Sequence, residues 1–163
     1  MNYSKSLLLY QDEPAYGLLL KLIVAGMPVA LLGASLYLFS TGENEGGLAL
    51  LLEAFLLVFI FWVVFPRKYQ IYEDHVRIVL GGPFSIKVGF DRIKTIEVTR
   101  LPTLSVNFVT RLALTHVVIV KKRGLSIAIT PGDNDLFVEN ARRAMDNWLK
   151  TGSGQSSGGK ISR

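Results

Sequence analysis

Two apolar runs separated by seven residues constrain this chain more than anything else in it. Gly17 to Phe39, GLLLKLIVAGMPVALLGASLYLF, holds one charge in 23 residues, and Gly47 to Phe65, GLALLLEAFLLVFIFWVVF, has Leu, Ile, Val, Phe or Trp at fifteen of nineteen positions. An α-helix needs about 20 mostly apolar residues to cross a hydrocarbon core, so each run is long enough for one span. In the second, each large apolar residue favours insertion by roughly 0.3 to 0.6 kcal/mol, which together outweighs roughly 3 kcal/mol against Glu53. Lys21 lies near the start of the first run, where its long stem carries the ammonium to the headgroups. Pro28 is tolerated inside a membrane helix and is expected to bend it. A cleaved secretory signal fits the first run poorly: its core is too long, nothing basic precedes it and no small-x-small site follows. The linker STGENEG is too short for a domain. Residues 17–65 therefore read as a tight transmembrane hairpin, with spans 17–39 and 47–65, preceded by an interfacial or loosely ordered arm over 1–16.

Orientation follows from basic residues near the ends of the spans. The linker carries Glu43 and Glu45 but no base, whereas Arg67 and Lys68 follow the second run at once and Lys5 and Lys21 flank the first. The linker is expected to face outward, with both termini in the cytoplasm and the protein multi-pass in the cytoplasmic membrane. Up to Phe65 the chain has two Lys against five acids, and beyond it sixteen Lys and Arg against eight, so the front is −3 and the back +8. An anionic leaflet attracts each nearby Lys or Arg by roughly 1 kcal/mol, which suits a basic domain at a membrane surface. The chain has no cysteine, so disulfides, thiolate metal sites and Cys nucleophiles are excluded.

Beyond Tyr69 the apolar period becomes two. Val76, Ile78 and Leu80 share one strand face, and Phe84, Ile86, Val88 and Phe90 another, with Gly81-Gly82-Pro83 as the turn between them. Further strands are expected over 93–98, 104–109, 112–120 and 125–130, the last two joined at Lys121-Lys122-Arg123-Gly124. A helix over 134–149, capped by Asp133 or Asn134, repeats apolar residues at Phe137, Ala141, Ala144, Met145 and Trp148 and must bury that stripe on the sheet. The Gly and Ser rich tail, 151–163, is expected to be disordered.

This order of elements, with the strings YQIYEDHVRIVLGG, IKVGFDRIKTIEV and IAITPGDNDLFVENAR, resembles the bacterial membrane-anchored proteins that carry a pleckstrin-homology-like domain. The resemblance covers about 65–150 for the domain and 17–65 for the anchor. It implies an α+β chain: a two-helix transmembrane hairpin, then a bent antiparallel sheet, nearly a barrel, over 66–150, capped by the C-terminal helix. Lipid-binding members of the wider fold hold inositide headgroups with bases flanking the first hairpin. Here that turn reads Tyr72-Glu73-Asp74-His75, with Arg77 the one base beside two carboxylates.

Glu53 is the leading single residue, because ionisable groups inside a membrane are functional by default. It lies about six residues, on the order of 9 Å, from the outer end of its run and opposite Gly33 to Tyr37. Its expected role is an intramembrane contact, either pinning the two helices through Ser35 or Tyr37 or meeting another membrane protein, with a place on a proton or ion path as the third alternative. Gly26, Ala30, Gly33 and Ala34 form a small-residue stripe of the kind that lets helices approach, with the second span as its first expected neighbour. Arg67, Lys68, Lys121, Lys122 and Arg123 are the candidate contacts to lipid or partner. His75 and His116 are read as turn or surface residues, and no metal, cofactor or catalytic motif is legible. Phe84, Phe90 and Phe108 fall at positions expected to be buried, which argues against nucleic acid. The sequence thus points to a non-enzymatic binding or assembly module on the cytoplasmic face, recognising protein partners at the membrane. Anionic-lipid sensing, or service as an accessory subunit of a transporter or enzyme, are the alternatives. Membrane lipids and another membrane or membrane-associated protein are its expected partners, with a homo-oligomer as a further expectation and no nucleic acid.

Overall fold

The computed structural model describes residues 6–100, 105–108 and 115–156. Its first element is a strand, β1 (Leu8–Asp12), followed by two long helices, α1 (Leu18–Thr41) and α2 (Asn44–Val64). Seven strands come next: β2 (Lys68–Tyr72), β3 (His75–Val79), β4 (Ser85–Gly89), β5 (Ile93–Thr99), β6 (Ser105–Phe108), β7 (His116–Lys121) and β8 (Ser126–Ile129). The last element is α3 (Asn134–Ser156). The chain is thus α+β, as the residue patterns imply.

The helices α1 and α2 are apolar around their whole circumference and form a hairpin turned at Gly42, whose φ of 86° is the left-handed conformation that ends helices. Only 11% of the most apolar window of either helix is buried. Both are long and apolar enough to cross a membrane. The helix α1 runs through Pro28, which is buried, and α2 starts three residues before its apolar run.

The strands form two four-stranded sheets, β1-β2-β3-β4 and β5-β7-β8-β6. The first is antiparallel throughout. In the second, β6 runs parallel to β8, with Ser105 opposite Ser126 and Phe108 opposite Ile129, so the expectation of a purely antiparallel sheet does not hold there. Positions 104, 109 and 112–114 of the expected strands lie outside the described residues, as does the tail beyond 156. The helix α3 extends seven residues past its expected end at 149 and takes up the first part of the sequence read as a disordered tail.

The arm before α1 is the larger departure. Instead of lying loose, Leu8–Asp12 is the edge strand of the first sheet, pairing Tyr10 with Ile71 and Gln11 with Gln70. Past β1 the arm stays attached: Ala15 N–H donates to Thr130 O at 2.9 Å, and Gly132 N–H to Glu13 O at 2.9 Å. Asp12 accepts from the Asp133 amide at 3.2 Å.

Between the sheets lies one core. Tyr69, Ile71, Val76, Ile78 and Phe90 come from the first half, Ile96, Val117, Ile119, Ile127 and Ile129 from the second, and Phe137, Ala141 and Ala144 from α3. The expected apolar stripe of α3 is therefore the buried one, with Val138 added to it. Asp133 Oδ1 accepts from Leu136 N–H at 2.9 Å, which makes Asp133 the N-cap. Phe137 meets Tyr10 and Tyr69 edge-on at 6.3 and 6.2 Å, so the arm, the first sheet and α3 share one aromatic cluster. Phe84 departs from expectation: it is 51% exposed, because it lies in the turn before β4 begins.

Two predictions follow from this packing. The fragment 66–150 lacks β1 and exposes both the β2 edge and Phe137. It should unfold without a cooperative transition by circular dichroism, and joining residues 6–16 to it through a flexible linker should restore one. Burial pushes the Tyr69 phenol well above its ordinary value. Below pH about 10 the phenol is neutral in both folded and unfolded chains and adds no pH dependence; above it the unfolded chain ionises first, so stability falls as pH rises. Denaturant midpoints from pH 9 to 11.5 should show that slope, reduced in Tyr69→Phe.

Candidate functional site

The helices meet the sheets through a short, closely packed junction. Phe65 ends α2, and Pro66 follows, with no N–H to continue the helix. Its carbonyl accepts from the Tyr16 hydroxyl, which ties the entry to α1 to the exit from α2. Arg67 N–H donates to Val79 O at 2.7 Å. Gly81 lies so close to α2 that a Cβ there would land on the Trp62 carbonyl, and a Cβ on Gly82, which has φ +63°, would meet the Trp62 indole at 2.9 Å. The β3–β4 turn is thereby seated on the last turns of α2. Only glycine fits at either position.

Beside this junction, between α1 and α2, lies a groove of about 360 Å³. Leu20 and Val24 line it from α1, Val58, Phe61 and Trp62 from α2, with Tyr16 and Phe65 at its end. Two exposed cations border it, Lys21 and Arg67. The Arg67 guanidinium sits 5.6 Å from the Trp62 ring centroid, a cation–π distance. Burial raises the Tyr16 pKa against the opposing charge of Arg67, so the phenol keeps its proton and its bond to Pro66. An adjoining cleft shares the aromatic wall and adds Glu13, Pro14 and Lys68.

Within the hairpin the contact face differs from the one expected. Ser35 Oγ donates to Gly47 O at 2.6 Å, and a Cβ on Gly47 would lie 2.9 Å from the Phe39 ring. The close approach is thus made by Gly47 and Ala54 of α2 against Pro28 and Ser35 of α1, which are the buried positions. Gly26, Ala30, Gly33 and Ala34 are exposed, and no heavy atom lies within 4 Å of a Cβ built on Gly26 or Gly33. The small-residue stripe therefore faces away from α2. Pro28 and Ser35, seven residues apart, lie on the seam that the packing selects instead.

Glu53 is exposed on α2 and has no hydrogen-bond or ion-pair partner among the described residues. Ser35, one of its two expected partners, is committed to Gly47. Because α2 begins at Asn44, Glu53 is about 13 Å from the helix start at 1.5 Å per residue, deeper than its distance from the apolar run suggests.

The basic residues singled out in the sequence fall into two separate places. Arg67 and Lys68 are at the junction. Lys121, Lys122 and Arg123 occupy the β7–β8 tip, where Ile93 pairs with Lys121 and Lys122 N–H donates to Arg92 O at 2.8 Å. That places the tip beside the short turn after Gly89, at the end of β4 remote from the junction, with about 13 Å of strand between Ser85 and Gly89. At the same remote end, His75 is buried, donates from Nδ1 to Asp74 Oδ1 at 2.6 Å and stacks on Tyr72 at 4.6 Å. It is a packed residue rather than a surface one. Glu73 and Asp74 form the β2–β3 turn, as the sequence places them. Among the described residues no group of three or more His, Asp or Glu is placed to hold a metal.

Gly81→Ala tests the junction. The added methyl must displace the Trp62 backbone, an overpacking cost of about 1–3 kcal/mol, and should make the chain near Pro66 newly sensitive to limited proteolysis while Gly26→Ala, on an open helix face, does not.

No family model, no curated protein and no solved structure matches this chain.

Proposed function

We propose that the chain is a membrane-anchored binding and assembly module that recognises protein partners at the cytoplasmic face through a pleckstrin-homology-like domain. Removing α1 and α2 from water supports the anchor. Side chains such as Leu22, Leu36, Leu52, Phe55 and Phe59 are 59–69% exposed, and each leaves roughly 1–2 kcal/mol of burial unused in water. A helix buried in a soluble core would show the opposite. The absence of bases in the outer turn, against Lys21, Arg67 and Lys68 at the other end, supports cytoplasmic termini. Two four-stranded sheets closed by a terminal helix support the pleckstrin-homology-like reading, with β1 and the parallel β6 as departures from it.

Glu53 carries the claim that the partner is a protein. A carboxyl near mid-span with no partner in its own hairpin is costly in lipid, and the small-residue stripe on the far side of α1 is a second face that α2 leaves free. Transmembrane helices of a partner protein satisfy the carboxyl at α2 and the stripe at α1 separately. An accessory role in a larger membrane assembly is the same surface in use.

The chain has no cysteine, so single-cysteine variants report orientation directly. Glu43→Cys should react with an impermeant maleimide on intact cells and Lys122→Cys only after permeabilisation; the reverse pattern would exclude a cytoplasmic domain. A photocrosslinker at Leu56, three residues from Glu53 on the exposed side of α2, should capture a membrane protein or a second copy, and Glu53→Leu should reduce that product roughly fivefold. An undiminished product would remove Glu53 from the interface.

A further inference from the structure

We propose that the groove between α1 and α2 beside the junction is a binding site for a single anionic phospholipid. The inference deepens the anchor reading and rests on it. Once the hairpin spans a bilayer, Lys21 in the first turn of α1 and Arg67 just past α2 lie at the same headgroup level. Neither has a carboxylate within ion-pair distance among the described residues. Between them the groove is apolar, and its volume of about 360 Å³ is that of a small ligand pocket.

A phospholipid matches these features in one molecule. Its phosphodiester bridges the Lys21 ammonium and the Arg67 guanidinium, and one acyl chain lies along Val24, Val58 and Phe61. Trp62 holds the guanidinium in place by cation–π contact. The Tyr16 hydroxyl is committed to Pro66 and offers the headgroup nothing, which leaves charge as the basis of selection. Glu13 in the adjoining cleft opposes a second phosphate, so the fit is to a headgroup with one net negative charge. Because the same residues seat the β3–β4 turn on α2, an occupied groove braces the sheets against the hairpin. The Lys121–Arg123 tip lies at the remote end and takes no part.

The test uses full-length protein in nanodiscs and in neutral detergent, titrated with dioleoyl-phosphatidylglycerol or dioleoyl-phosphatidylcholine and read by native mass spectrometry. One phosphatidylglycerol should be retained, with a preference on the order of tenfold from two nearby cations. The double variant Lys21→Gln, Arg67→Gln should bring the two lipids to parity, whereas Lys121→Gln, Lys122→Gln, Arg123→Gln should keep the preference. Val24→Trp, which fills the groove and leaves both cations, should lower retention of either lipid, with unchanged circular dichroism reporting an intact fold. Equal retention by the wild type, a preference that survives the double variant, or one lost only in the tip variant would overturn the site. A chain that enters nanodiscs but shows no preference refutes the lipid site alone, and a chain that does not enter them refutes the anchor as well.

Discussion

Tyr10 pairs with Ile71 and Gln11 with Gln70 although a 24-residue and a 21-residue helix lie between them in the chain. That ladder is the constraint on which the remaining architecture depends. It closes the helical hairpin at its base, because the segment entering α1 and the segment leaving α2 are adjacent strands of one sheet. Whatever medium surrounds the helices, both of their free ends must emerge on the same side. The ladder also supplies Tyr10 to the aromatic cluster with Phe137 and Tyr69, so the arm contributes to the core as well as to the sheet edge. Backbone pairing alone would leave it as a replaceable edge; the ring contact and the bonds from Ala15 and Gly132 make it part of the domain.

The second consequence is rigidity where a flexible linker is usual. A domain tethered by one chain crossing can swing, but here three contacts act together: Tyr16 on Pro66, Arg67 on Val79, and Gly81 on Trp62. They fix which loops lie near the helices and which lie far away. The β3–β4 turn with exposed Phe84 is near, and the Glu73-Asp74 turn and the Lys121–Arg123 tip are remote. The five basic residues singled out in the sequence are therefore divided between two surfaces. Arg67 and Lys68 lie at the base of the hairpin, and the tip lies at the remote end of the sheets.

Much of the fold was legible because it rests on local patterns. Period-two alternation located β3 and β4, the glycines of the β3–β4 and β7–β8 turns gave the hairpins, and the spacing of Phe137, Ala141 and Ala144 gave the buried face of α3. The misses have physical reasons too. The string Leu8–Asp12 is five residues of mixed polarity, and a strand that short is made by its neighbour, not by its own preference. Phe84 followed the alternation on paper, but alternation has meaning only within a paired strand, and β4 starts one residue later. In α1, Pro28 and Ser35 repeat as regularly as Gly26 and Gly33, so periodicity could not choose between two faces; the steric fit of Gly47 against Phe39 did.

The candidate site divides along the same line. Composition and local spacing alone required that residues 17–65 form two helices long and apolar enough to cross a membrane, that a small sheet and an amphipathic helix follow, and that Arg67 and Lys68 mark the passage from helix to sheet. These properties depend on composition and on neighbours three or four residues away. Packing between distant segments is what sets Lys21 and Arg67 at one groove, leaves Glu53 without a partner in its own hairpin and brings Gly81 against Trp62. Each depends on the register between segments distant in the chain, and register is set by the packing of whole surfaces, which no single stretch of residues encodes.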